Sequence, residues 1–179
     1  MRLVPAFFAA LMVAACTVSL AAAAPAPAKP KPAKPAPDPR VWSMVKGEDT
    51  FVLRFSLPRD PDPDFAAICQ PGAQLLQIAA EIEGRPFASG EGVPVTLTAG
   101  KRRLELAATA FLGGGDGKMV VEAAVALDPR IFDLFESGEA LTLRIPPSLP
   151  KGHALVLTYP LGGARARLAD FQRACLARR

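Results

Sequence analysis

From Val41 to Tyr159 the chain repeats one pattern: short runs in which apolar and polar side chains alternate, separated by clusters of glycine, proline and aspartate. In FVLRFSL, residues 51–57, the side chains of Phe51, Leu53, Phe55 and Leu57 fall on one side, with Arg54 and Ser56 on the other. LELAATAF, residues 104–111, repeats the pattern with Leu104, Leu106 and Ala108. Successive side chains of a strand point to opposite faces, so each run fits a strand with one buried and one wet face. The spacing predicts strands over 41–45, 51–57, 65–70, 75–82, 93–98, 102–111, 118–127, 140–145 and 153–159. Such a series, with turn signals between its members, is expected to build an antiparallel β-sandwich of about 8–9 strands.

Two segments break the period. DPRIFDLFESG opens with Asp128 as N-cap and Pro129 at the first helical position, presents Ile131, Leu134 and Phe135 to one side, and stops at Gly138. It reads as a short helix near 128–137 that plugs one end of the sandwich. The closing segment places Ala164, Leu168, Phe171 and Cys175 on one stripe, at i, i+4, i+7 and i+11, with arginines on the other faces. That is an amphipathic C-terminal helix.

The ends of the chain define its organisation. Residues 1–24, MRLVPAFFAALMVAACTVSLAAAA, have one early cation, an apolar run and a ladder of small residues, the signature of a secretory signal peptide cut near Ala24. Two rival readings stand beside it. An uncleaved anchor needs about 20 apolar residues, and Pro5, Cys16, Thr17 and Ser19 interrupt this run. VAAC, residues 13–16, resembles a lipobox, which would lipidate Cys16 and tether the protein to a membrane. Residues 25–40, PAPAKPKPAKPAPDPR, cannot pack a core, because closely spaced prolines fix φ and remove N–H donors; they read as an extended polyproline II linker. Residues 41–179 then make a single domain.

Charge follows the same partition. The formal net charge of +4 resides in the leader and linker, since the residues from Val41 onward hold equal numbers of basic and acidic side chains. The terminal helix is basic and the body correspondingly acidic. Nucleic-acid binding needs a basic face with aromatic platforms, and a neutral domain with one tryptophan and one tyrosine does not fit it, so nucleic acid is not the expected partner.

Removal of the leader leaves Cys69 and Cys175, an even number in an oxidising compartment, and lipidation of Cys16 would leave the same two. They are expected to form a disulfide that pins the terminal helix to the sheet. The competing reading makes Cys175 a small hydrophobe on the helix's buried stripe.

Together the exported leader, VWSMV with Trp42, the run FAAICQPG, the β-rich middle and the ending YPLGGARARLADFQRAC resemble small exported envelope proteins of the invasion-associated locus B family. The resemblance implies a periplasmic β-sandwich with a disulfide between Cys69 and Cys175 and envelope-associated partners, and it implies no particular activity. Some type VI secretion accessory proteins end similarly.

Candidate chemistry is sparse. His153, the one histidine, starts a strand just after a turn, so a catalytic triad would have to be built there, and a zinc site lacks companion ligands. Asp60, Asp62 and Asp64 alternate like the start of a calcium loop, but Phe65 takes the glycine position and Pro71 the position of the bidentate glutamate. GGGDGK, residues 113–118, lacks the spacing and following helix of a phosphate loop and reads as a hairpin turn around Asp116 and Gly117. Glu81, Glu83 and Glu105 could pair as acid and base. No catalytic, cofactor-binding or metal-binding residues are therefore assigned. The expected function is a non-catalytic, periplasmic or envelope-associated interaction module that binds another envelope protein. It would touch a membrane only through a lipidated Cys16 or an uncleaved leader. The alternatives are a periplasmic hydrolase using paired carboxylates and a lipid-anchored envelope lipoprotein.

Overall fold

The architecture follows from where the alternating runs find partners. A computed structural model describes residues 38–113, 117–147 and 152–177. The leader, Cys16, the linker up to Pro37 and the hairpin tip with Asp116 lie outside the described residues. The strands are β1 (Val41–Lys46), β2 (Phe51–Ser56), β3 (Phe65–Gln70), β4 (Leu75–Ile82), β5 (Gly92–Ala99), β6 (Arg102–Leu112), β7 (Met119–Ala126), β8 (Ala140–Ile145) and β9 (Leu155–Pro160). Two helices, α1 (Pro129–Glu136) and α2 (Arg165–Leu176), complete the fold.

All nine strands pair antiparallel in one sheet of order β1-β2-β3-β4-β7-β6-β5-β8-β9. Strands β5, β6 and β7 form a meander, and α1 carries the chain back so that β8 lies beside β5, a Greek-key return. The sandwich expected from sequence is thus one sheet curled until its two wings face each other. Burial tracks the period: in β4 the side chains of Leu76, Ile78, Ala80 and Ile82 are buried while their neighbours are half-buried, and β5 buries Val93, Val95, Leu97 and Ala99.

Aromatic side chains fill the space where the wings meet. Phe65 on β3 lies 4.9 Å, centroid to centroid, from Tyr159 on β9 and 5.9 Å from Trp42 on β1. Phe55 on β2 touches both Trp42 and Tyr159. Rings packed edge to face or tilted exploit their quadrupoles as well as their buried area.

The helices sit on this core. Asp128 caps α1, its carboxylate accepting from the Arg130 amide at 2.8 Å with Pro129 at the first turn. The buried face of α1 is broader than its sequence stripe implies. Phe132 is buried along with Leu134 and Phe135, whereas Ile131 is half-buried. The reason is that α1 has two neighbours, Phe135 meeting Phe65 of the sheet edge to face and Phe132 meeting Phe171 of α2 in the same way. In α2 the stripe is as the sequence spaces it, with Leu168, Phe171 and Cys175 buried behind Ala164.

Candidate functional site

β9 ends the sheet, and its free side faces a cleft. The other walls come from the start of β1, the start of β3 and the end of β4: Arg40, Asp64, Glu81 and Glu83 line it together with Leu155–Tyr159, enclosing a volume of about 390 Å³. The register explains why charged side chains collect there. Asp64 and Arg40 immediately precede strands, and Glu83 follows one, so they stand at the sheet's rim where the apolar alternation stops.

Arg40 organises the rim. It forks onto the Asp38 carboxylate, with Nε and Nη2 donating at 2.9 and 2.6 Å, reaches Asp64 at 3.3 Å through Nη1, and lays its guanidinium carbon 5.0 Å from the Phe55 ring centroid. These hydrogen bonds hold the Asp38 carboxyl below its usual range and push Arg40 up. Glu81 accepts from Lys118 Nζ at 2.8 Å. At the cleft floor Tyr159 donates its hydroxyl to the Asp64 carbonyl at 3.3 Å, and burial first, then the Asp64 carboxylate, pushes its phenol up.

The β9 backbone presents groups that have no strand partner among the described residues. The Leu161 amide donates to the Glu139 carbonyl at 2.7 Å, so in a continuous antiparallel register the ladder bonds to β8 fall at Tyr159, Leu157 and Leu155. Val156, Thr158 and Pro160 then turn their backbone groups to the free edge. Pro160 has no N–H, and its carbonyl accepts from Trp42 Nε1 at 2.6 Å. The N–H and C=O of Val156 and Thr158 have no strand partner among the described residues.

The structure gathers some of the sequence candidates and disperses others. Asp64, Glu81 and Glu83 share the cleft; Glu105 lies on β6 bound to Arg103 at 2.7 Å. Asp60 accepts from the Asp62 amide at 3.0 Å, a local turn, and Asp64 turns to Arg40 instead of joining them. No cluster of three or more His, Cys, Asp or Glu able to hold a metal ion occurs among the described residues. His153 is exposed, two residues before β9. In the 113–118 hairpin the Gly113 amide donates to the Lys118 carbonyl at 2.6 Å and Gly117 takes φ +66°. Cys69 on β3 and Cys175 on α2 are joined sulfur to sulfur, their Cα atoms 5.9 Å apart, both buried. Arg40 and Tyr159 were missed as site residues. The only sequence signal was their position, one just before the first strand and the other the single tyrosine, on the last strand.

No protein-family model matches the chain, and no curated protein is similar to it in sequence. Among solved structures it is similar to the crystal structure of invasion associated protein B from Bartonella henselae, at 15% identity and a TM-score of 0.45, over 76% of this chain and 97% of that one. That neighbour is of the type the leader, the FAAICQPG run and the closing motif resemble.

Proposed function

We propose that this chain is an exported, non-catalytic interaction module of the cell envelope that binds another envelope protein by its open sheet edge. The observation that carries the reading is β9, LVLTYP, an end strand without a charged residue, with Val156 53% exposed. Soluble proteins blunt such edges with lysine, proline, bulges or covering elements, because bare edges recruit other strands; here Pro160 and the Trp42 indole blunt the last position, and Val156 and Thr158 before it carry no such device. An edge left bare here is suited to a partner.

Export draws its support from the alanine-ended leader and from the two buried, bonded cysteines, since thiols in reducing compartments stay unpaired. The protein would be free in the periplasm after cleavage near Ala24, or membrane-tethered if Cys16 is lipidated. A hydrolase working through paired carboxylates is the weaker reading. Asp64 and Glu81 each already hold a cation, Arg40 and Lys118, through one carboxylate oxygen, an arrangement that favours the ionised form of both over an acid and base pair.

Crosslinking in intact cells with a photoreactive residue at position 156, followed by mass spectrometry, tests the proposal. A specific crosslinked envelope protein is expected. Recovery of the chain in the cytoplasm, or the absence of any crosslink at positions on β9, β1 and α2 alike, would overturn it.

A further inference from the structure

The cleft beside β9 has a chemical preference that a bare edge alone does not. Its backbone groups repeat every second residue, Val156 and then Thr158, which at about 3.4 Å per residue matches the repeat of an incoming strand. The track is closed at one end, where Trp42 already occupies the Pro160 carbonyl, so a strand enters from the His153 side. The wall opposite is acidic. Asp64, Glu81 and Glu83 line it with Arg40, three carboxylates for one cation; Arg40 is shared with Asp38, Glu81 also holds Lys118, and β9 contributes no charge.

We propose that β9 and this acidic wall form a docking groove for an extended segment of a partner protein, added as a strand at Val156 and Thr158 with lysine or arginine side chains directed at Glu83 and Glu81. The assignment rests on the interaction-module reading and gives its partner a chemistry. A second copy of this chain is a poor occupant, because β9 paired with β9 would bring two acidic walls together. The chain's own residues 25–36 carry lysines, but prolines at every second or third position remove the N–H groups that strand addition uses. A basic strand from another protein satisfies both the backbone and the charge.

The test uses the purified, oxidised protein and two synthetic peptides, one alternating threonine and lysine, the other threonine and glutamate. Binding is followed by fluorescence anisotropy and by amide NMR shifts. The Thr/Lys peptide should bind, shift Val156 and Thr158 most, and weaken with added salt. Val156→Pro removes an edge N–H without breaking a β8 ladder bond, and should weaken binding about tenfold. Glu83→Lys, at an exposed rim position, tests the wall independently should the proline variant misfold; it should weaken the Thr/Lys peptide about fivefold and reverse the preference toward Thr/Glu. Equal binding of the two peptides, shifts centred on β1 or on the outer face of β3 and β4, or a β9-mediated homodimer would overturn the assignment. With the photoreactive residue moved to the exposed position 158, an envelope partner that still crosslinks fully to the Val156→Pro protein would sink this groove and leave the interaction module standing. The absence of any envelope partner would sink the module itself, whatever the peptides do.

Discussion

Trp42 and Pro160, 118 residues apart, are joined by a 2.6 Å hydrogen bond from the indole Nε1 to the proline carbonyl. The bond ties the first strand to the last and so joins the two wings of the curled sheet. It also fixes where the free edge of β9 begins, since every edge group before Pro160 lies beyond the indole's reach. The ring is buried against Phe55 and Phe65, so one side chain contributes both apolar packing and a polar clasp.

Separating those contributions is the first prediction. Trp42→Phe retains a ring and loses the donor, and should cost about 1 kcal/mol in urea unfolding. Trp42→Ala should cost about 3–5 kcal/mol, because it also opens a cavity between the wings. The intrinsic fluorescence of this single tryptophan reports unfolding of the parent.

The disulfide links β3 to α2 across a sequence separation of 106 residues. In the chain-entropy account a loop of that length stabilises by about 4–5 kcal/mol. In Cys69→Ala/Cys175→Ala, hydrogen exchange should therefore rise first in α2, where Leu168 and Phe171 remain the large buried side chains, and later in β4 to β7. Thiol labelling of the oxidised parent should find neither cysteine reactive. Two freely labelled thiols, or exchange rising uniformly through the sheet, would contradict the assignment of the bridge to the helix.

Tyr159 gives an alkaline signature. Its folded pKa is raised by burial and then by the Asp64 carboxylate, while in the unfolded chain the phenol titrates near its ordinary value of about 10. The folded state therefore holds the proton more tightly. The contribution is fully present below about pH 10 and declines as the pH rises from there toward the folded value. As the chain has one tyrosine, tyrosinate absorbance reads this residue alone, and it should lag behind a free phenol and rise with unfolding. Tyr159→Phe should flatten the alkaline limb of the stability profile.

How much of this was legible beforehand varies with the range of the interaction. Strand limits are local, set by alternation and turn residues, and β3, β4 and β8 start and stop where the sequence places them. The stripe of α2 was legible for the same reason. The burial of Phe132 was not, because a short helix wedged between a sheet and a second helix buries two faces, and its own period reveals only one. The continuity of the sheet is also non-local. It depends on β4 pairing with β7 and β5 with β8, choices that alternation leaves open. The cleft was least legible: Asp64, Glu81 and Glu83 could be named from sequence, but their meeting with β9 follows from the curl.

The curl also depends on two glycines packed backbone to backbone. Gly100, at φ +54° in the turn between β5 and β6, and Gly138, at φ +112° after α1, touch so closely that a Cβ on Gly138 would lie 2.7 Å from the Gly100 nitrogen. A Cβ on Gly100 would in turn lie 2.9 Å from the Ser137 carbonyl oxygen. Neither neighbour is a side chain that could rotate away, and both conformations disfavour residues with a Cβ. Gly138→Ala should therefore cost about 1–3 kcal/mol from its backbone conformation alone, with the clash added to that. Gly72, whose Cβ would meet nothing within 4 Å and whose φ is not positive, is the control, and Gly72→Ala should be close to neutral in the same denaturation experiment. Equal effects of the two substitutions would show that the contact between hairpin and helix end yields freely, and that α1 does not hold β8 beside β5 through this contact.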